Sequence, residues 1–221
     1  QVKDIRQYNN TAIFTPYEPG SVFKPITMSA GIALGLISPN TTFTDPCVRV
    51  YGGFPIRNAQ NKCYGTINMT QVLENSVNTG MMFVADKLGH ERLSDYAKKF
   101  GFGQKTGIEL SPESGADISS LDKKGQIYAA VGSFGQGLTA TPLQLASAYS
   151  AIANQGLMPK PYIISEVHYH DGKKEITSPL TSESVISART AKLVSGMLVS
   201  VVENHYRAAK IPGYYVAGKT G

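Results

Sequence analysis

The first strongly hydrophobic segment of the chain begins at about Ser21 and continues to Leu36, with apolar residues on nearly every side. Pro19-Gly20 breaks the chain before this run, Pro25 fits the first turn of a helix, and Ser38-Pro39 ends it. A helix that is apolar all round is a buried helix. The pattern therefore predicts a central core helix whose polar start lies at a surface cleft.

The rest of the chain alternates between helical periodicity and turn-rich sequence. Helices are predicted at five further places: 69–74, 81–88, 91–100, 142–154 and 184–202. A hairpin is predicted over 161–177 with its turn at Asp171-Gly172, and a strand over 213–219. Residues 40–66 hold both cysteines and several glycines and prolines, and are predicted to be an irregular excursion.

Composition narrows the class of protein. The 221 residues fit one large domain or two small ones, and 42% hydrophobic with 17% charged residues is ordinary for a globular protein. This excludes disorder, collagen and coiled coil. The chain has no uninterrupted apolar run of about 18 residues, and residues 1–6 lack the apolar core of a signal peptide. We therefore expect any membrane anchor to lie outside this chain.

Charge and metal-ligand spacing exclude two further classes. The formal net charge of +5 comes from scattered basic residues, which favours solvated faces and no nucleic-acid partner. The spacing of Cys47 and Cys63 matches no zinc pair, and the four histidines show no ligand spacing, so we expect no metal and no cofactor. The two cysteines fit either one disulfide or two buried thiols, depending on the compartment.

Ser21 and Lys24 stand three residues apart at the start of the predicted core helix, so their side chains share one face. A serine hydroxyl needs a neighbouring base to act as a nucleophile, and a lysine made neutral by burial and nearby positive charge can supply it. The helix start adds backbone N–H groups that stabilise an oxyanion. The same pair also fits a structural role, as a serine cap beside a solvated lysine.

Two further motifs carry candidate chemistry. Ser76 and Asn78 lie in a break between helices, where a hydroxyl can relay a proton and an amide can hold a substrate carbonyl; both also fit helix caps. Lys219-Thr220-Gly221 ends the predicted strand with a cation, a hydroxyl and a glycine that lets a ligand approach the backbone. A second copy, Lys105-Thr106-Gly107, follows no predicted strand and is rejected as catalytic.

The order of these three motifs is the signature of serine β-lactamases and penicillin-binding proteins. The chain resembles the transpeptidase domain of class B penicillin-binding proteins, and the likeness covers essentially its whole length. The segments that carry it are 17–25, 100–108, 135–146 and 211–221. The resemblance implies a helix-rich α+β fold of the serine β-lactamase-like type. It also implies that residues 1–221 are one partial transpeptidase domain without an anchor or pedestal domain.

The resemblance also assigns roles. Ser21 would attack the D-alanyl-D-alanine carbonyl of a peptidoglycan stem peptide, and Lys24 would take its proton. Ser76 would pass a proton to the leaving amine. Asn78 would orient the substrate amide and Lys24. Lys219 and Thr220 would bind the terminal carboxylate, with Gly221 beside them in the substrate-binding set. The acyl group would then cross-link a neighbouring stem, and β-lactams would stall at Ser21.

At both ends the chain departs from the family pattern. Relatives place strands before the Ser-x-x-Lys helix and after Lys-Thr-Gly in one five-stranded sheet, so the antiparallel sheet is expected to be incomplete here. The family's second oxyanion donor is the backbone N–H after Gly221, and loss of such a donor lowers the rate by about 10²–10³. A strand over 213–219 would lack ladder partners.

The resemblance leaves two alternative functions open and implies a cellular compartment. A β-lactamase or D,D-carboxypeptidase shares the motifs, although the chain has no Glu-x-x-Leu-Asn, and a penicillin-sensing scaffold would be acylated at Ser21 without turning over peptides. The family works at the extracytoplasmic face of the bacterial membrane, on lipid-linked precursor strands and beside a possible membrane glycosyltransferase. That compartment favours a disulfide between Cys47 and Cys63.

Overall fold

The structure, a computed structural model, describes residues 9–221, except for the side chains of residues 182 and 183. Helices and short strands alternate along this part of the chain. The α-helices are α1 Thr11–Phe14, α2 Lys24–Ala33, α3 Met69–Glu74, α4 Asn78–Lys99, α5 Gln126–Gly132, α6 Pro142–Ala153 and α7 Ala188–His205. The strands are β1 Thr42–Thr44, β2 Val48–Tyr51, β3 Phe54–Arg57, β4 Thr66–Asn68, β5 Leu157–Pro159, β6 Glu166–His168, β7 Lys174–Ile176 and β8 Thr181–Ser184.

The strands of residues 9–221 form four separate antiparallel pairs: β1 with β4, β2 with β3, β5 with β8, and β6 with β7. The architecture is therefore α+β, rich in helix and with small antiparallel ladders, as the resemblance implies. The predicted hairpin over 161–177 is confirmed, with strands shorter than the pattern suggested.

The predicted core helix is confirmed as α2, and every residue from Lys24 to Ile32 is buried. A 3-10 turn over Gly20–Phe23 leads into it, and Pro25 lies in its first turn. The helix ends before Gly35, which has a positive φ, rather than at Ser38-Pro39. Because α2 packs against both α4 and α7, the side chains at its N-terminus are fixed from two sides.

The two predicted helices, 81–88 and 91–100, are confirmed as the two parts of α4. The helical geometry is interrupted at Gly89, whose φ is 75°. Glycine adopts this conformation without strain because it has no Cβ atom. The helix also begins earlier than predicted, at Asn78, directly after an extended Val77. Asn78 therefore lies in the first turn of α4, at the edge of the core.

The prediction that residues 40–66 are irregular was wrong in part. The segment contains the β1–β4 and β2–β3 ladders, and the Thr44 and Thr66 hydroxyls lie 3.0 Å apart across one of them. Cys47 and Cys63 are joined in a disulfide, with their Cα atoms 4.8 Å apart. The β1–β4 ladder and the disulfide join residues distant in sequence and give no local periodicity, whereas β2 and β3 form a local hairpin across Gly52-Gly53, a turn signal that the sequence analysis missed.

The last part of the chain also differs from the sequence prediction. Helix α7 begins at Ala188 with Ser187 as its N-cap, because β8 occupies the residues before it. The strand predicted over 213–219 was wrong: no strand forms there in the described structure, and the segment reaches α7 through a bond from the Gly218 N–H to Leu198 O. A strand needs a ladder neighbour, and none of the strands described here lies beside it.

Among residues 9–221, no helix combines the length and the hydropathy needed to span a membrane. The expectation that residues 1–6 lack a signal peptide lies outside the described residues.

Candidate active site

Ser21 lies in the 3-10 turn that precedes α2, and a second segment of the chain holds this turn in place. The backbone N–H of Gly20 donates to Gly135 O at 3.0 Å, and Tyr17 and Ala140 exchange two backbone hydrogen bonds. The Glu18 carboxylate accepts from the N–H of Gly137 at 3.0 Å. The position of the Ser21 hydroxyl therefore depends on residues 135–140.

Gly135 makes the closest of these approaches. Its φ is +79°, and a Cβ atom placed there would lie 2.2 Å from Gly20 O. This distance leaves no room for any side chain, so glycine is required on both steric and conformational grounds.

Lys24 is fully buried in the first turn of α2. Its Nζ donates to three oxygens: the backbone O of Ser76 at 2.6 Å, the Ser76 hydroxyl at 2.9 Å and Asn78 Oδ1 at 2.8 Å. Burial, reinforced by the positive charge of Lys219, lowers the pKa of Lys24 well below its usual range. A buried amine with a lowered pKa can act as a base near neutral pH.

Ser76 is the centre of the cluster. Its hydroxyl donates to Ser21 Oγ at 3.0 Å and accepts from Lys24 at 2.9 Å and from Lys219 at 3.1 Å. Its φ of 54° is in the left-handed region, which is strained for a serine and turns the backbone between α3 and α4. This turn points both the carbonyl and the hydroxyl of Ser76 toward Lys24.

Asn78 presents its two amide ends to different partners. Its Oδ1 accepts from Lys24, and its Nδ2 donates to the backbone O of Arg57 at 3.1 Å. Asn78 is half-buried at the start of α4, so its side chain borders the cleft as well as the core.

The other side of the site is formed by Lys219, Thr220 and Gly221, which do not lie in a strand. Burial lowers the pKa of Lys219 to about 8. Its Nζ donates to Thr220 O at 2.9 Å as well as to Ser76. Gly221 lies against Val22, where an added Cβ would be 3.0 Å from a Val22 methyl carbon. The structure thus brings Ser21, Lys24, Ser76, Asn78 and Lys219 into one hydrogen-bonded cluster, with Gly221 against Val22 and with the backbone O of Thr220 bound to Lys219.

The second copy of the tripeptide lies elsewhere and is closed by a carboxylate. Glu113 accepts from the Thr106 N–H at 2.7 Å, from the Thr106 hydroxyl at 2.6 Å and from the Gly107 N–H at 3.1 Å. The Thr106 and Gly107 donors of this copy are therefore occupied by the chain itself.

Sequence reasoning missed two tyrosines at this site. The Tyr149 hydroxyl donates to Val22 O at 2.9 Å, next to the nucleophile, and burial raises its pKa well above the usual range. The Tyr206 hydroxyl lies 2.8 Å from Thr220 Oγ1. Tyr149 lies in α6, far from Val22 in sequence, and no local motif signals either contact.

The arrangement contains the parts needed for acyl transfer through serine. Ser21 is a hydroxyl at the start of a helix, Lys24 is a buried amine with a lowered pKa, and Ser76 connects the two by hydrogen bonds. Lys219 adds positive charge for an anionic ligand. Within residues 9–221, His, Cys, Asp and Glu form no group of three or more that could hold a metal ion.

Comparison with known protein families gives a match over residues 1–221 to the penicillin binding protein transpeptidase domain. Among curated proteins, stage V sporulation protein D of Bacillus subtilis is 37% identical over 226 aligned residues that cover 100% of this chain and 35% of the relative. Penicillin-binding protein PbpB of Mycobacterium tuberculosis is 36% identical, with coverage of 98% and 33%. The chain thus spans about a third of the length of these relatives.

Solved structures show the same relationship. The D,D-transpeptidase domain of a peptidoglycan glycosyltransferase from Eggerthella lenta is similar with a TM-score of 0.89 and 30% identity, over 99% of this chain and 56% of that one. Penicillin binding protein 3 from Mycobacterium tuberculosis, complexed with aztreonam, is similar with a TM-score of 0.81 and 34% identity, over 95% and 46%. The chain belongs to the penicillin binding protein transpeptidase domain family.

Proposed function

We propose that this chain is one transpeptidase domain, which cross-links peptidoglycan stem peptides through an acyl-enzyme at Ser21. The observation that carries the proposal is the hydrogen-bonded path from Ser21 through the Ser76 hydroxyl to the buried Lys24. A nucleophile connected to a base in this way is the arrangement that serine acyl transfer requires.

In the first half of the reaction, Ser21 Oγ attacks the carbonyl carbon between the two D-alanines of a stem peptide. The Ser21 proton passes to Lys24, with the Ser76 hydroxyl between them, since a hydroxyl both donates and accepts. The bond to the terminal D-alanine breaks, and Ser76 delivers a proton to the departing amine. This leaves an ester between Ser21 and the stem peptide.

In the second half, the amine of a neighbouring stem attacks that ester. Its proton returns through the same groups, Ser21 regains its hydrogen, and the new amide bond is the cross-link. Asn78 orients the substrate amide during both halves. Lys219 and Thr220 hold the terminal carboxylate of the donor, and Gly221 leaves room for it.

A β-lactam presents a strained amide and an anionic group at a similar spacing, so it should acylate Ser21 and stall. Solved structures similar to this chain include penicillin binding protein 3 from Mycobacterium tuberculosis complexed with aztreonam and with ampicillin. We place the reaction at the extracytoplasmic face of the membrane. Stem peptides on lipid-linked precursor strands are available there, and a membrane glycosyltransferase would extend the glycan.

The first test is intact-protein mass spectrometry after incubation with a penicillin. We expect a stable adduct that peptide mapping assigns to Ser21, and no adduct on the folded Ser21→Ala variant. Incubation with a donor peptide and an amine acceptor should then yield a cross-linked product.

Other outcomes identify the competing functions. A persistent adduct without any peptide turnover indicates a penicillin-sensing scaffold, and release of D-alanine without cross-linking indicates a carboxypeptidase. A folded chain that forms no adduct contradicts the proposal.

The rate of acylation by penicillin should depend on pH through two lysines. It should rise with pH as Lys24 loses its proton, because only the neutral amine accepts the Ser21 proton. It should fall as the pH passes about 8, because Lys219 then loses the charge that attracts the carboxylate. The measurement is the second-order acylation rate from about pH 5 to about pH 10.

Lys219→Arg serves as the control for the falling limb. A guanidinium keeps its charge throughout this range, so the fall near pH 8 should disappear while the rise remains. An unchanged fall in Lys219→Arg would assign that limb to another group.

A further inference from the structure

The Asp45 carboxylate lies in the interior beside the cleft and has no part in the proposed reaction. Only 6% of Asp45 is exposed. Its Oδ1 accepts from the Cys47 N–H at 2.9 Å and from the Thr79 hydroxyl at 2.7 Å. Its Oδ2 accepts from Asn58 Nδ2 at 2.8 Å and from the Tyr64 N–H at 3.0 Å. Four donors use the acceptor capacity of the carboxylate completely.

These bonds fix residues 57 and 58 against the first turn of α4. Asn58 Oδ1 accepts from the Thr79 N–H at 3.1 Å, and the Thr79 hydroxyl, whose one hydrogen is directed to Asp45, lies 3.1 Å from the same oxygen. The first N–H groups of a helix have no partner within the helix, and Asn58 supplies one. The preceding residue, Arg57, accepts on its backbone O from Asn78 Nδ2 at 3.1 Å. Two consecutive residues of the 40–66 segment therefore hold two consecutive residues of α4.

The bond to Arg57 determines which end of the Asn78 amide faces the cleft base. An amide side chain has one donor end and one acceptor end. Because Nδ2 is bound to Arg57 O, the acceptor Oδ1 faces Lys24 Nζ at 2.8 Å. If residues 57 and 58 moved away, this constraint on Asn78 would be lost.

We propose that Asp45, Asn58 and Thr79 form a positioning cluster that holds the Asn78 carbonyl oxygen on Lys24. None of the three touches the reacting atoms, and they act through Arg57 O and Asn78. The inference rests on the proposed function, in which Lys24 is the base for Ser21. It assigns a role to the 40–66 segment beyond its own folding.

The test uses matched pairs of hydroxyl deletions on α4 in the full chain. Thr79→Val removes the hydroxyl that binds Asp45 and keeps the shape of the side chain, whereas Thr79→Ser keeps the hydroxyl. Ser94→Ala is the control, because Ser94 is also buried in α4 and donates to a different carboxylate, Asp122, at 2.6 Å at the far end of the helix. Asp45→Asn tests the same cluster from its other side.

Two readouts are combined. In Thr79→Val and Asp45→Asn we expect acylation by penicillin to slow about 10- to 100-fold, the range that small misplacements produce. We also expect the pKa of Lys24 to fall further in these two variants. It is measured by NMR of ¹³C-labelled lysine, without any β-lactam present. An ammonium that loses a carbonyl acceptor holds its proton less tightly, and the neighbouring charge of Lys219 is unchanged in these variants. Thr79→Ser and Ser94→Ala should match the unmodified chain in both readouts.

The NMR titration needs no reaction, so it separates this inference from the proposed function. Absence of acylation in the unmodified chain would contradict the function, while the shift of Lys24 would still test the cluster. A folded Thr79→Val variant with the original Lys24 titration and the original acylation rate overturns the inference. If Thr79→Val does not fold, Thr79→Ala removes the same hydroxyl with the residue most favourable to helix, and is measured in its place.

Discussion

Replacing Lys24 with methionine should slow acylation of Ser21 by about 10²–10⁴, the contribution typical of a positioned general base. Lys24 is fully buried, and its Nζ contacts the Ser76 hydroxyl that in turn contacts Ser21. Methionine fills similar space but cannot take a proton. The rate should therefore fall even though the Ser21 hydroxyl is still present.

Lys24→Arg separates the role of base from that of positive charge. Arginine keeps a cation and its donors, but it stays protonated at any pH that the protein withstands. If Lys24 acted only through its charge, Lys24→Arg would retain acylation. Because we assign it the role of base, we expect Lys24→Arg to be as slow as Lys24→Met.

The measurement is the second-order rate of penicillin adduct formation by mass spectrometry, with folding of each variant checked by circular dichroism. Lys98→Met is the matched control, since Lys98 pairs with Asp122 on the surface, away from the cleft. It should react at the original rate. If Lys24→Arg reacts within about threefold of the rate of the unmodified chain, the loss is far smaller than removal of a base should cause. Another group would then take the proton.

The parts of the site that the sequence predicted are those that short motifs encode. Ser21 with Lys24 and Ser76 with Asn78 are each a few residues apart, and each pair lies at the start of a helix. The first residues of α3 and α6 could also be predicted from their sequence neighbours, because each helix begins with a capping box. Such features depend on neighbours in the sequence, so a single chain without structure already shows them.

What the sequence did not predict depends on contacts between distant segments. Asp45 in the 40–66 segment resembles an ordinary loop aspartate until Thr79 and Asn58 are brought to it. The strand predicted over 213–219 was wrong for the related reason that a strand requires a neighbour, whatever its composition. The Tyr149 contact to Val22 likewise has no local pattern. Local motifs therefore give the reacting groups, and long-range packing gives the groups that position them.

Replacing Gly135 with alanine should affect both stability and acylation, because Gly135 touches the residue before the nucleophile. The left-handed conformation alone costs about 1–2 kcal/mol in an alanine. The new Cβ would also lie 2.2 Å from Gly20 O and 2.7 Å from Gly20 N, both backbone atoms that cannot rotate away. Relief of this contact must break the bond from Gly20 N–H to Gly135 O, which contributes about 0.5–1.5 kcal/mol. The unfolding free energy should therefore fall by about 1.5–3.5 kcal/mol.

Gly135→Ala molecules that remain folded should also be acylated more slowly. Moving Gly20 moves Ser21, and a displacement of about 1 Å at a nucleophile can lower the rate about 100-fold. Gly156→Ala is the matched control: its φ is +92° and its Cβ would lie 1.8 Å from Ile186 O, so it carries a comparable strain between α6 and α7. Urea denaturation gives the stability of both variants, and adduct formation per folded molecule gives the rate. Gly156→Ala should lose stability while its folded fraction reacts normally, whereas Gly135→Ala should lose both. Equal rates per folded molecule in the two variants would mean that residues 135–140 stabilise the chain without positioning Ser21.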